Sequence, residues 1–333
     1  MTPVLRLLSA AFFALAAASP AGAESLQSSL ALPTTSLTFS SAYVAEDLGL
    51  WEKDGLAVKT VVIAGVGSPN AVIAGSVDFT ITTASTFLRA AAKGQRSLAV
   101  ANLLERPMME LVLSKPLADA AGFDAAAPLA ARARLLKGRT IAVDGVYTNI
   151  HAFAQLVAIK AGLDPEADMK VAPMVAPNMP AALDSKAIDG FSASLPWTTM
   201  AVATGKAVMI ASSPRGDLPE LIPFAYGIVM TRPALCRDHA PVCAKMVAGL
   251  AAADSYIREH PQDALALLKK RFATIGDDVL APSFETLRGA TAVPRVDPAA
   301  LANAEKFSVA AGVLKQEDTV KLMDGLYTND YVR

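Results

Sequence analysis

The side chains that could do chemistry in this chain are mostly hydroxyls, amides and aromatics set at loop positions. Ser40 and Ser41 follow a strand-like segment, Thr35–Phe39, and precede an amphipathic run, Tyr43–Trp51. Free N–H groups at such a helix start attract anions and dipoles. A serine there also serves as N-cap, worth about 1 kcal/mol. Both roles are open to the pair, with Tyr43 beside them. Gly65-Val66-Gly67-Ser68, ahead of Pro69, is a loop where backbone approaches a ligand closely. Thr82, Thr83 and Ser85 follow the short strand Phe79–Thr82, where they either cap the helix Thr86–Lys93 or line a mouth. In the second half, Tyr147, Thr148, Asn149, Asn178 and Ser194 hold the corresponding places. Trp197, after Pro196, either packs or forms an aromatic wall with a free N–H donor. Tyr226 either packs at a crossing point or reaches the same space. Among cations, Arg106 is the one placed to meet an anion bidentately.

Such groups hold a small molecule and give little means of transforming it. His239 and His260 fall on the C-terminal helical side, and the chain shows neither HExxH nor a Gly-rich phosphate loop. No catalytic residue, metal or cofactor is expected.

The elements that must position these groups come twice. Residues 69–78 read Pro-Asn-Ala-Val-Ile-Ala-Gly-Ser-Val-Asp, and residues 180–189 read Pro-Ala-Ala-Leu-Asp-Ser-Lys-Ala-Ile-Asp. Each copy follows a strand-like segment and a loop (Ile63–Ser68; Val171–Met179) and leads into a short strand (Phe79–Thr82; Gly190–Ser194). Proline suits the first helical turn, where its missing N–H costs nothing. Asp78 and Asp189 then sit at helix-to-strand turns, where their carboxylates fix backbone. Arg139–Val143 reads as a strand and His151–Lys160 as a helix stopped at Ala161-Gly162. Strands alternating with helices give an α/β fold of mostly parallel sheets with helices on both faces. Ligands in such sheets lie beyond the carboxyl ends of the strands. Two lobes built alike, facing each other, make a cleft.

The lobe boundaries follow from two crossings. The first lobe takes residues 24–110 and 225–333, and the second 111–224, with Glu110–Ser114 and Phe224–Met230 as crossing strands. C-terminal helices over Val242–Glu259, Pro261–Phe272, Pro298–Ala311 and Gln316–Tyr327 pack on the first lobe. Two crossings make a hinge that suits domain closure.

Residues 1–23 are read apart from the fold. Arg6, the apolar run Leu7–Ala18 and Ala21-Gly22-Ala23 match a secretory leader, with cleavage before Glu24. The apolar run is shorter than the roughly 20 residues a membrane span needs. Export into a bacterial periplasm is expected. Losing Arg6 takes the formal charge from −1 to −2, a balance that offers no footprint for nucleic acid. Cys236 and Cys243 are expected to pair as a disulfide in that oxidising compartment, clipping a loop to the next helix.

Tyr43-Val-Ala-Glu-Asp-Leu-Gly-Leu-Trp-Glu-Lys-Asp-Gly-Leu56, Ala74-Gly-Ser-Val-Asp78, Leu136-Lys-Gly-Arg-Thr-Ile-Ala142 and Ala187-Ile-Asp189 resemble the periplasmic substrate-binding proteins of ABC importers. The branch resembled handles nitrate, taurine and aliphatic sulfonates and includes relatives that bind thiamine pyrimidine precursors. The resemblance implies a type II periplasmic-binding fold, two doubly wound lobes on a two-stranded hinge. It also implies a monomer that delivers a sulfonate-like anion or a pyrimidine-like heterocycle to a permease and its ATPase. Two alternatives share the architecture: a periplasmic sensor for a membrane receptor, and a pyrimidine-synthase-like enzyme. The enzyme's cysteine-rich motif is absent from this chain.

Overall fold

The computed structural model describes residues 25–320, 323 and 325–332. The leader expected over residues 1–23 lies outside them, as do Lys321, Leu322 and Asp324 of the last expected helix.

From the N-terminus the first lobe runs β1 (Leu26–Leu32), α1 (Ser40–Asp47), α2 (Leu50–Lys53), β2 (Leu56–Val62), α3 (Gly67–Ile73), β3 (Phe79–Thr82), α4 (Ala84–Ala92) and β4 (Leu98–Leu104). The second lobe runs β5 (Met109–Ser114), α5 (Lys115–Ala120), α6 (Leu129–Ala133), β6 (Arg139–Val143), α7 (Asn149–Lys160), β7 (Met169–Pro173), α8 (Met179–Asp184), β8 (Gly190–Ser194), α9 (Trp197–Ala203) and β9 (Ala207–Ser212). The chain returns through β10 (Tyr226–Thr231) and ends in α10 (Pro233–Asp238), α11 (Ala240–Glu259), α12 (Pro261–Arg271), α13 (Asp277–Arg288) and α14 (Pro298–Ala310).

Two five-stranded sheets result, ordered β2-β1-β3-β10-β4 and β7-β6-β8-β5-β9. In each, three strands are parallel and the fourth in order is antiparallel to both neighbours. That fourth strand is always the one that has just arrived from the other sheet, β10 in one case and β5 in the other. Leu30, Ala31 and Leu32 of β1 and Ile141, Ala142 and Val143 of β6 are buried, as strands covered by helices on both faces require. The two crossings, residues 105–108 and 213–225, lie side by side. The Phe224 N–H donates to Glu105 O at 3.1 Å, and the Ser213 N–H donates to Met109 O at 2.9 Å.

The repeat reaches down to single hydrogen bonds. Asp78 Oδ2 accepts the Ser29 N–H at 3.1 Å, and Asp189 Oδ2 accepts the Thr140 N–H at 2.8 Å, each across a separation of 49 residues. Both carboxylates tie a parallel strand of their lobe, β1 or β6, to the turn ahead of the neighbouring strand, β3 or β8.

Five expectations change. The first strand is Leu26–Leu32, and Thr35–Phe39 is instead a loop entering a 3-10 turn over Leu37–Phe39, capped by the Ser36 hydroxyl. The helix expected over Tyr43–Trp51 is broken at Gly49, whose φ of 61° stops α1 before α2 begins. The expected helix Gln316–Tyr327 is a 3-10 turn over Gln316–Asp318, and Ala99 of β4 donates its N–H to Leu326 O and accepts from the Thr328 N–H. Helix α13, which carries Pro282 within it, was not expected. Cys236 and Cys243 are bonded with Cα atoms 5.5 Å apart, and they join α10 to α11 rather than a loop to a helix.

Candidate functional site

The two sheets point their carboxyl-end loops at each other, and the loops meet. Trp197 Nε1 donates to Thr35 O at 2.8 Å, the Leu37 N–H to Leu195 O at 3.1 Å, and Ser36 Oγ to the same carbonyl at 3.2 Å. The Ser85 N–H donates to Asn149 Oδ1 at 3.0 Å, and the Asn149 N–H to Thr83 Oγ1 at 3.3 Å. Glycine permits the closest approach: a Cβ on Gly145 would lie 3.1 Å from Gly65 Cα. The lobes are therefore closed on each other.

Beneath these contacts lies a cavity lined from both lobes. The first supplies Thr34, Ser36, Thr38, Phe39, Thr82 and Thr83; the second supplies Asp144, Ile150, Ala176, Ala193 and Ser194; β10 adds Tyr226 and Gly227. Its volume is about 30 Å³, room for little more than a water molecule. An organic solute enters only when the loops part. A wider, open depression lies on the second lobe between Lys115, Arg132 and Val202. It draws on one lobe alone, and its Lys115 and Arg132 already pair with Asp119 and Asp217.

The cavity's polar groups are neutral with one exception. Tyr226 OH and Ser194 Oγ are 2.5 Å apart, and burial pushes the phenol well above its usual range. Asp144 follows β6 directly, and its Oδ1 accepts from Thr148 Oγ1 at 2.7 Å. Burial raises its carboxyl to about 6, against the lowering effect of that hydrogen bond. Three turns that begin near the cleft are already capped. Ser36 accepts from the Thr38 N–H, Thr83 from the Thr86 N–H and Thr148 from the His151 N–H. Nearby, His151 Nδ1 accepts the Tyr147 N–H at 3.1 Å, and burial lowers the imidazole to about 4.

Of the residues the sequence offered for the cleft, Thr82, Thr83, Ser194 and Tyr226 line the cavity. Ser40 and Ser41 lie inside the first turn of α1 and turn into the core, bonding Leu37 O and the Asp254 carboxylate. Tyr43 is buried, its OH accepting from the Ser36 N–H and its ring stacked under Arg271. Gly67 opens α3, and Ser68 faces Thr80 within the lobe. Ser85, Thr148, Asn149 and Trp197 take part in closure or capping around the cavity, while Asn178 is exposed. Arg106 is also exposed, on the first crossing. Thr34, Ser36, Thr38 and Asp144 were not singled out from the sequence, although the repeat could have found them. Shifting by the spacing that relates Asp78 to Asp189, 111 residues, sets the loop 33–38 against 144–149.

Residues 29–273, most of both lobes, match the family model described as NMT1-like. The chain belongs to the NMT1-like family. No curated protein sequence matches it. Among solved structures, a protein of Bordetella bronchiseptica RB50 superposes with a TM-score of 0.75 at 21% identity, over 92% of this chain and 96% of its own. The alkanesulfonate-binding protein SsuA of Xanthomonas axonopodis pv. citri, bound to MOPS, gives 0.71 at 18% identity over 89% and 96%. The nitrate-binding protein NrtA of Synechocystis PCC 6803 gives 0.66 at 13% identity over 92% and 87%. At these identities the likeness establishes the fold: this NMT1-like chain has the two-lobed type II periplasmic-binding architecture. Among the described residues, no helix is long and apolar enough to cross a membrane, and no group of three or more His, Cys, Asp or Glu is placed to hold a metal.

Proposed function

We propose that this chain is the extracytoplasmic solute-binding component of an ABC importer, and that it holds one small organic molecule between its lobes. The observation that carries the reading is the cavity itself, a small space walled by strand-end loops of both lobes. Membership of the NMT1-like family and the fold shared with sulfonate- and nitrate-binding proteins support it. A solute that touches both lobes favours the closed form by as much as it binds that form better. Closure would then mark the loaded protein for its permease and ATPase. The leader over residues 1–23 would deliver it to the periplasm as a monomer.

The test is direct. Protein purified as residues 24–333 is denatured, and the released small molecules are identified by mass spectrometry. The protein is then refolded, and its radius of gyration is followed by X-ray scattering as the extract is returned. The expected outcome is one dominant solute near one per chain, with compaction on its return. A cooperatively folded protein that releases nothing and whose radius ignores every added solute would overturn the reading.

A further inference from the structure

We propose that Asp144 is the ligand anchor of the cleft, and that the solute it selects presents an amine- or amidine-type nitrogen rather than a sulfonate or nitrate oxyanion. The inference rests on the reading of the cleft as a solute site and names the class of solute.

Its first support is position. Asp144 is the residue immediately after β6, at the carboxyl end of a parallel strand of the second lobe, where ligands of open α/β sheets bind. It is half-buried and lines the cavity. The second support is its isolation. Asp144 carries the one charged side chain of the cavity wall; the remaining polar groups are hydroxyls of Thr34, Ser36, Thr38, Thr82, Thr83, Ser194 and Tyr226. Among the described residues, Thr148 is the only side-chain donor to this carboxylate, and no cation pairs with it. Arg89, the cation of α4 near this rim, is laid over the Tyr147 ring at 3.5 Å.

Electrostatics then decide the class. A half-buried carboxylate without a counterion is poorly compensated, and a cation placed beside it recovers part of its desolvation cost. An ammonium or amidinium nitrogen supplies charge and N–H donors together. An oxyanion in the same place meets a like charge in a low-dielectric space. One N–H at each of the turns over 37–39, α4 and α7 is already taken, by Ser36, Thr83 and Thr148. Phe39, Ile150 and Ala176 complete the wall with apolar surface for the rest of the molecule.

The experiment compares ligand classes on refolded residues 24–333 by isothermal titration calorimetry. The probes are acetamidine and 4-aminopyrimidine on one side, and methanesulfonate and nitrate on the other. The wild-type protein is expected to bind a nitrogen probe and to ignore both oxyanions. Asp144→Asn, which keeps the size of the side chain, is expected to weaken the nitrogen probe by about 10- to 100-fold, the range of one charged hydrogen bond. Tighter binding of an oxyanion than of either nitrogen probe, or an Asp144→Asn protein that binds the nitrogen probe unchanged, overturns the assignment while leaving solute binding intact. Silence toward all four probes, together with release of an anionic solute from the purified protein, also overturns it. Silence together with no released solute removes the parent reading as well. The wild-type comparison stands even where the variant fails to fold.

Discussion

Asp254 lies on the face of α11 that packs against α1, fully enclosed, with Ser41 Oγ donating to one carboxylate oxygen and no partner on the other. Burial raises its carboxyl from 3.8 to about 7, and the hydrogen bond from Ser41 and the charge of Arg258 offset only part of the rise. A raised carboxyl means that the folded protein holds the proton longer than the unfolded chain. Its contribution to stability is therefore fully present below about pH 4 and is lost as pH climbs toward 7. The separation of the two values corresponds to roughly 4 kcal/mol between fully protonated and fully ionised conditions. Asp254→Asn keeps the acceptor for Ser41 and removes the titration. It also places an unpartnered NH2 where an unpartnered oxygen stood, a cost of about 1–3 kcal/mol that does not change with pH. The wild-type profile alone does not isolate the effect. Asp144 acts in the same direction, whereas His151, neutral in the fold down to about pH 4, adds stability as pH rises toward 6.5. The difference between variant and wild type isolates it. Urea unfolding followed by tryptophan fluorescence reads both lobes, through Trp51 beside α11 and Trp197 at the start of α9. Between pH 4 and 8 the variant should gain on the wild type by up to about 4 kcal/mol. Parallel profiles, or a variant that loses ground as pH rises, would show that the Asp254 charge is already compensated and would refute the reasoning.

Three further outcomes are expected. Gly190→Ala would set a Cβ 2.4 Å from the Val112 carbonyl oxygen inside the sheet, where backbone has little room to yield. It should lose about 3 kcal/mol or more, read as a lower urea midpoint or as insoluble expression. Gly145→Val would press on Gly65 across the cleft, since even the first added carbon comes within 3.1 Å. The lobes should part, giving a larger radius of gyration in X-ray scattering with the secondary structure unchanged. Replacing Cys236 and Cys243 together by serine opens a loop of separation 7. Loop entropy then predicts a loss of about 2 kcal/mol, which calorimetry should read as a melting temperature lower by a few degrees.

The sequence reports local grammar well and tertiary compensation poorly, and the cleft depends on the second. Pro69 and Pro180, with Asp78 and Asp189, announce two lobes because the same turn is built by the same residues in each. The first strand, β1, carries Gln27, Ser28 and Ser29, three consecutive polar residues that mask its strand pattern. In the fold the two serine hydroxyls donate to the Asp78 carboxylate from nearly fifty residues away. Thr35–Phe39 drew the strand assignment instead, because Leu37 and Phe39 are apolar and alternate with polar residues; they are buried as a 3-10 turn. That displacement carried the expected ligand loop from 33–39 to 40–43, and Ser40 and Ser41 took a role that Thr34, Ser36 and Thr38 are better placed to fill. Asp144 escaped notice for a different reason. A lone carboxylate in a loop looks solvated until the opposite lobe covers it, and only closure shows that it faces neutral hydroxyls and no cation. Its meaning comes from what surrounds it across the cleft. A variant library confined to one lobe would for that reason mistake it for a turn residue, whereas one that pairs Asp144 with Thr38 or Tyr226 would find the two lobes coupled through whatever molecule lies between them.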